Sequence, residues 1–185
     1  MRPSSIFAAL SLALVGCAGP SSYPIPAVTD VVATTEQGGK FLSFVGPRRQ
    51  FAEPFLGVPD TNYDLLRTFI DTRNGERAEQ LFVENSYFGK EREWNAARDG
   101  QGQALKFVPV SKNEITCQAE CSYAEEFAAV LPDAVLRGSP QGVSVTFAAK
   151  SGETLKIAVP GEAIKKQLAA VDSALAAQPV APPPK

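Results

Sequence analysis

The side chains able to do chemistry are few, and their types narrow what they can do. The 185 residues contain no histidine. That excludes Ser-His and Cys-His nucleophiles and histidine-ligated metals. Three cysteines are present: Cys17, and the pair Cys117 and Cys121 in Ile-Thr-Cys-Gln-Ala-Glu-Cys-Ser-Tyr. Their Cys-x-x-x-Cys spacing is not the Cys-x-x-Cys of a thioredoxin-type redox site, and no βαβ pattern surrounds it. The nearby Glu114, Glu120, Glu125 and Glu126 are hard oxygen donors that match thiolate poorly, so no metal or other cofactor is expected. Carboxylates remain as acid/base candidates, with Asp133 added to these four. Glu125 and Glu126 are neighbours, and in a strand neighbours point to opposite faces, so they cannot by themselves form one acid/base pair. No Ser-x-x-Lys dyad occurs. Asp99-Gly100-Gln101-Gly102 has neither a Walker lysine nor Rossmann spacing and reads as a loop. No catalytic residue is assigned.

Binding residues form a second group. Trp94, the single tryptophan, lies in a segment with Tyr87 and Phe88. Core packing is one reading of these rings. The other is an exposed aromatic surface for a glycan or protein partner. Arg48-Arg49 and Lys90-Glu91-Arg92-Glu93 read as solvated faces. The formal net charge of −2 argues against nucleic acid as a partner.

Cys17 belongs to a different chemistry. Arg2 gives a positive start, and Ile6 to Val15 is an apolar run of ten residues. That length suits a signal-peptide core and falls short of the roughly 20 residues of a membrane-spanning helix. The run ends Leu14-Val15-Gly16-Cys17, which resembles the lipobox of bacterial lipoprotein precursors. The resemblance implies cleavage before Cys17, a diacylglyceryl group on its sulfur and a palmitate-type acyl chain on the new amine. Losing Arg2 with residues 1–16 takes the net charge from −2 to −3. Ala18, rather than Asp, follows the lipidated cysteine, a pattern that in this family leans toward the outer membrane, facing the periplasm. With Cys17 lipidated, two thiols remain in an exported chain, which points to a Cys117–Cys121 disulfide across a hairpin end.

These residues need elements to position them. Residues 17–37, rich in Gly, Pro and Ser, read as a lipidated cysteine and flexible tether, with an early edge strand over Ala27 to Thr34 as the alternative. Residues 38–178 read as one β-rich domain and the proline-rich 179–185 as a tail. Phe41 to Val45 is a strand candidate. Tyr63 to Thr72 and Arg77 to Glu84 flank Asn74-Gly75, the strongest short hairpin signal. Phe107 to Thr116 and Ser122 to Leu131 flank the cysteine turn, with Cys117 opposite Cys121 and Ile115 opposite Tyr123. A three-residue Lys150-Ser151-Gly152 loop pairs Phe147 with Leu155 and Val145 with Ile157. It gathers Val143, Val145, Phe147, Leu155, Ile157 and Val159 on one face, with Gly152 in a left-handed conformation. After Pro160 the period becomes helical. Ile164, Leu168, Val171 and Leu175 form one stripe of a helix over about 162–177, Gln167 lies off it, and Gly161 caps its start.

Short strands followed by one terminal helix predict a mainly β domain, an antiparallel β-sandwich or related β-sheet fold with a C-terminal amphipathic helix. Phe69, Phe82, Phe107, Phe127 and Phe147 are placed to fill its core. The stretch from Gln80 through Trp94 and the cysteine hairpin to this helix resembles exported bacterial proteins of uncharacterised role, which implies no activity and no catalytic residues. The expected function is a membrane-anchored, non-enzymatic envelope module that binds or scaffolds. A histidine-free carboxylate hydrolase of envelope glycans and an accessory lipoprotein of a secretion or transport assembly are the alternatives.

Overall fold

The computed structural model describes residues 30–118 and 120–177. Cys17, the leader 1–16, most of the tether and the 179–185 tail lie outside the described residues. The elements run β1 (Val32–Glu36), β2 (Phe41–Val45), β3 (Arg49–Gln50), β4 (Tyr63–Asp71), β5 (Arg77–Phe88), β6 (Trp94–Asp99), β7 (Ala104–Leu105), β8 (Phe107–Thr116), β9 (Ser122–Leu131), α1 (Asp133–Arg137), β10 (Gly142–Ala149), β11 (Thr154–Pro160) and α2 (Gly161–Ala176). The chain is mainly β, with two antiparallel sheets and a C-terminal helix, as its sequence predicts. The larger sheet has the order β1-β2-β4-β5-β9-β8, with β3 also on β4; the smaller has the order β11-β10-β6-β7.

The sheets face each other through one core. Leu66, Leu81, Val83, Phe127, Ala129 and Leu131 of the larger sheet meet Trp94, Ala97, Val145, Phe147, Ile157 and Val159 of the smaller. Phe127 centres an aromatic group with ring centroids at 5.3 Å from Trp94, 4.9 Å from Phe147 and 5.8 Å from Phe107. Phe82 and Phe69 are not in this core. Register places them on the other face of the larger sheet, where Phe82 packs with Tyr63 and Leu65. Residues of period two on a twisted sheet can fill either face, and aromatic type does not choose between them.

The hairpin registered around Gly152 and the hairpin expected at Asn74-Gly75 both form. In β10–β11, Phe147 pairs with Leu155, Val145 with Ile157 and Val143 with Val159. Gly152 has φ +101°, as the three-residue loop requires. In β4–β5, Leu66 pairs with Leu81 and Ile70 with Arg77. Its connection is wider than a two-residue turn. The Asp71 N–H donates to the Glu76 carbonyl at 2.9 Å, and Gly75, at φ +72°, supplies the left-handed residue.

Four expectations are corrected. Val32–Glu36, counted with the tether, pairs with β2 along its whole length. Ile115 is bulged out of β8, so Glu114 rather than Ile115 pairs with Tyr123, and Ile115 is half exposed. A second register shift lies between Pro109 and Ser111. The helix stripe is rotated from the expected one: Ile164, Gln167 and Val171 are buried, Leu168 is partly buried and Leu175 is exposed. Gln167 is drawn in because its amide bridges helix to sheet, donating to the Phe44 carbonyl at 3.0 Å and to Thr68 Oγ1 at 2.9 Å. Gly161 is the first residue of α2 rather than its cap, and a Cβ there would lie 1.9 Å from the Pro140 carbonyl oxygen.

Candidate functional site

The sheets part where the start of β6, ahead of its pairing with β7 at Ala97, lies beside the β8 edge. The opening is a cleft of about 330 Å³ with Trp94, Phe107 and Phe127 among its walls and Lys112, Lys150 and Glu93 among its charged residues. β6 reaches it through a sharp bend. Glu93 holds φ +55°, an uncommon conformation for a side chain with a Cβ.

A buried carboxylate holds this bend in place. Glu125, only 5% exposed, projects inward from β9. It accepts the Tyr87 hydroxyl, the Glu93 N–H at 3.2 Å and the Trp94 N–H at 3.3 Å. Those donors come from β5 and from the start of β6, so one carboxylate ties both sheets together. Burial first, and then the bond to Glu125, raises the Tyr87 hydroxyl above its ordinary pKa, which keeps it a donor. The Tyr87 oxygen in turn accepts the Arg92 N–H at 2.9 Å. The Arg92 guanidinium lies 3.9 Å from the Tyr87 ring centroid and donates to Asn85 Oδ1 at 3.0 Å. A cation over an aromatic face is attracted by the ring quadrupole, so this stack fixes the turn before β6 as well.

Ion pairs flank the mouth. Lys150, on the β10–β11 loop, pairs with Glu93, and Lys112, on β8, pairs with Glu91. The bond to Lys150 holds the Glu93 carboxyl below its ordinary pKa. On the wall, Ser111 donates to Glu126 at 2.8 Å. One polar atom is left over. Trp94 Nε1 is buried and has no hydrogen-bond partner among the described residues.

This geometry sorts the residues singled out by sequence. Trp94 and Tyr87, at 6% and 5% exposure, are packed inside, so they are not an exposed partner surface; only Phe88 is exposed. The rings were drawn in because β5 runs on to Phe88 and Tyr87 faces the smaller sheet, an extension that the 77–84 strand reading stopped short of. The five candidate carboxylates do not converge. Glu114 and Glu120 are exposed, Glu125 and Glu126 point to opposite faces, and Asp133 starts α1, paired with Arg137 at 2.8 Å. Asp99-Gly100-Gln101-Gly102 is the β6–β7 turn, in which Asp99 Oδ1 accepts the N–H groups of Gln101 and Gln103. The cysteines stand at disulfide distance beyond the last ladder pair, Thr116–Ser122, with Cα atoms 3.9 Å apart. Sequence reasoning missed the Glu125–Tyr87–Arg92 cluster; a single Glu on the face that Phe127, Ala129 and Leu131 share, in a strand beside a Tyr-containing one, is the signal that could have found it. Among the described residues no group of three or more Cys, Asp or Glu is arranged to hold a metal, and no helix is long and apolar enough to cross a membrane. No protein-family model, no curated protein and no solved structure matches this chain.

Proposed function

We propose that the chain is a bacterial cell-envelope lipoprotein whose β-sandwich is a non-enzymatic binding module for an envelope glycan. Residues 1–16 export it, and acyl chains on Cys17 hold it at the outer membrane facing the periplasm. Residues from Ala18 to the first strand link that anchor to the module. The observation that carries the binding reading is the cleft between β6 and β8. It combines a partly exposed Phe107, backed by the buried Trp94 and Phe127 rings, with charged and polar residues at its mouth, the mixture with which concave sites take partly apolar ligands. Binding is favoured over hydrolysis because the carboxylates there are engaged: Glu93 by Lys150, Glu125 by three donors, Glu126 by Ser111. A hydrolase needs two carboxyl groups facing one bond, about 5–10 Å apart.

Two measurements test the two parts. Mass spectrometry of the protein taken from membranes should find an acylated Cys17 at its N-terminus; an unmodified N-terminus, or one beyond Cys17, refutes the anchor. Titration with soluble oligosaccharides released from the envelope should change Trp94 emission. Lys112→Ala and Asn95→Ala, both at residues that line the cleft, should weaken that binding about tenfold. Absence of binding by folded protein refutes the module reading, and release of shorter products turns it to hydrolysis.

A further inference from the structure

At one end of the larger sheet, apolar side chains are held out into solvent by a hydrogen-bonded turn. Leu56 is 68% exposed, Val58 51% and Phe88 45%. Phe55 packs against Phe88 with centroids 4.7 Å apart and the rings tilted by 49°, joining the 54–58 turn to the end of β5. The turn is held by several hydrogen bonds of its own. Thr61 Oγ1 accepts the Phe55 N–H at 2.7 Å and donates to the Val58 carbonyl at 2.8 Å. The Gly57 and Val58 N–H groups donate to Pro54 and Phe55 carbonyls at 3.0 and 2.9 Å. Asn62 Nδ2 ties the segment to the Glu53 carbonyl at 3.0 Å. Leu56, Asp60 and Asn62 have φ of +53°, +62° and +55°. Three such residues in seven are costly, and the Leu56 strain projects an apolar side chain away from the body. Exposed apolar clusters of this kind mark contact with a partner or a membrane.

We infer that this tip is a second membrane contact, seated in the bilayer that carries the Cys17 acyl chains; the inference rests on the lipid anchor proposed above. Strand direction points to this occupant. Val32 is level with Val45 and Arg67, and Glu36 with Phe41 and Asp71, so the chain before β1 leaves toward the Tyr63 end of β4, the end that bears the tip. Counting rungs and strands from the register puts Asp30 about 25 Å from Phe88. The thirteen steps from Asp30 back to Cys17 can reach about 45 Å. The bilayer that holds Cys17 is therefore within range of the tip without moving the body. Leu56 and Val58 can enter the headgroup boundary by their apolar surface, with no charge pairing required.

The test uses the acylated full-length protein in vesicles of phosphatidylethanolamine and phosphatidylglycerol, with brominated acyl chains as quencher. Val58→Trp, and Leu56→Trp as a second probe, should lose at least half of their added emission to the bromolipid. Arg73→Trp, on the β4–β5 loop at the opposite end, and native Trp94 in the core should lose little. No quenching at positions 56 and 58 in protein that floats with the vesicles overturns the inference while leaving the anchor intact. So does equal quenching at position 73, which means that no end is preferred. So does self-association through the tip in place of quenching, which would make it a contact between copies. A Cys17 without acyl chains, read by mass spectrometry before reconstitution, overturns anchor and tip together.

Discussion

Removing the Glu125 carboxylate should loosen the joint between the two sheets. In Glu125→Ala three donors lose their acceptor: the Tyr87 hydroxyl and the N–H groups of Glu93 and Trp94. Glu93 is exposed and can recruit water, but Tyr87 and Trp94 are 5% and 6% exposed and cannot do so without opening the core. A buried donor left unpaired costs about 1–3 kcal/mol, so two give a central value of about 4 kcal/mol. For a domain of this size that lowers the melting temperature by about 8–16 °C. Glu125→Gln keeps the volume and one carbonyl, but turns an N–H donor toward another donor, and should cost about 2 kcal/mol. The assay is urea unfolding followed by Trp94 emission, with the slope of stability against urea unchanged. Combining each variant with Tyr87→Phe should give non-additive losses, since both side chains share one bond. A Glu125→Ala cost below about 1 kcal/mol would refute the account, and the bend at Glu93 would then be held by Arg92 and Lys150.

Further expectations concern the helix, the turns and pH. Gly161→Ala should destabilise by about 3 kcal/mol or more in thermal unfolding, because the new Cβ meets the Pro140 carbonyl; helix propensity alone predicts a gain of about 1 kcal/mol, so the sign decides. Val171→Ala should cost about 2 kcal/mol and Leu175→Ala close to nothing in the same experiment, whereas an apolar stripe ending at Leu175 requires both to cost. Reducing Cys117–Cys121 should cost about 2 kcal/mol in urea without abolishing folding, since so short a loop restricts the unfolded chain little. Glu84 is buried, and burial raises its carboxyl pKa despite bonds from Ser86 and the Asn62 N–H. A raised carboxyl holds its proton more tightly in the folded state. Its contribution to stability is therefore greatest in acid and falls as pH rises from the ordinary carboxyl value through the raised one. Glu84→Gln should flatten that fall, read as the difference between urea midpoints of the two proteins from pH 4 to 7.

What the sequence revealed follows a physical division. The β10–β11 register was legible because six apolar residues alternate on both arms and one glycine marks the turn, so a slip by one would expose them all. The Asn74-Gly75 hairpin was legible for the same local reason, though not its width. Helix α2 was legible as an element, but its face was misjudged at Gln167, whose burial depends on the Phe44 carbonyl and Thr68, both about a hundred residues away in sequence. β6 has one large apolar residue, Trp94, and two alanines, too little alternation to read as a strand, and α1 is a single five-residue turn with too few positions to show a period. The bulge at Ile115 displaces a register without leaving a composition signal. The cleft was illegible for a deeper reason: its walls come from edges of different sheets, and neither edge carries a motif by itself.

The irregular β8 edge has a consequence for how many copies can share a small space. Ten residues at the rim of a six-strand ladder offer a template along which a neighbouring molecule could zip, strand against strand. Pro109 withholds one N–H, the register breaks beside it and again before Thr116, and Lys112 places a cation midway. Each interruption denies an incoming strand a continuous run of matching rungs. At the other rim β1 is only five residues long. The domain should therefore tolerate crowding as separate particles, with colloidal stability written into its borders rather than its core.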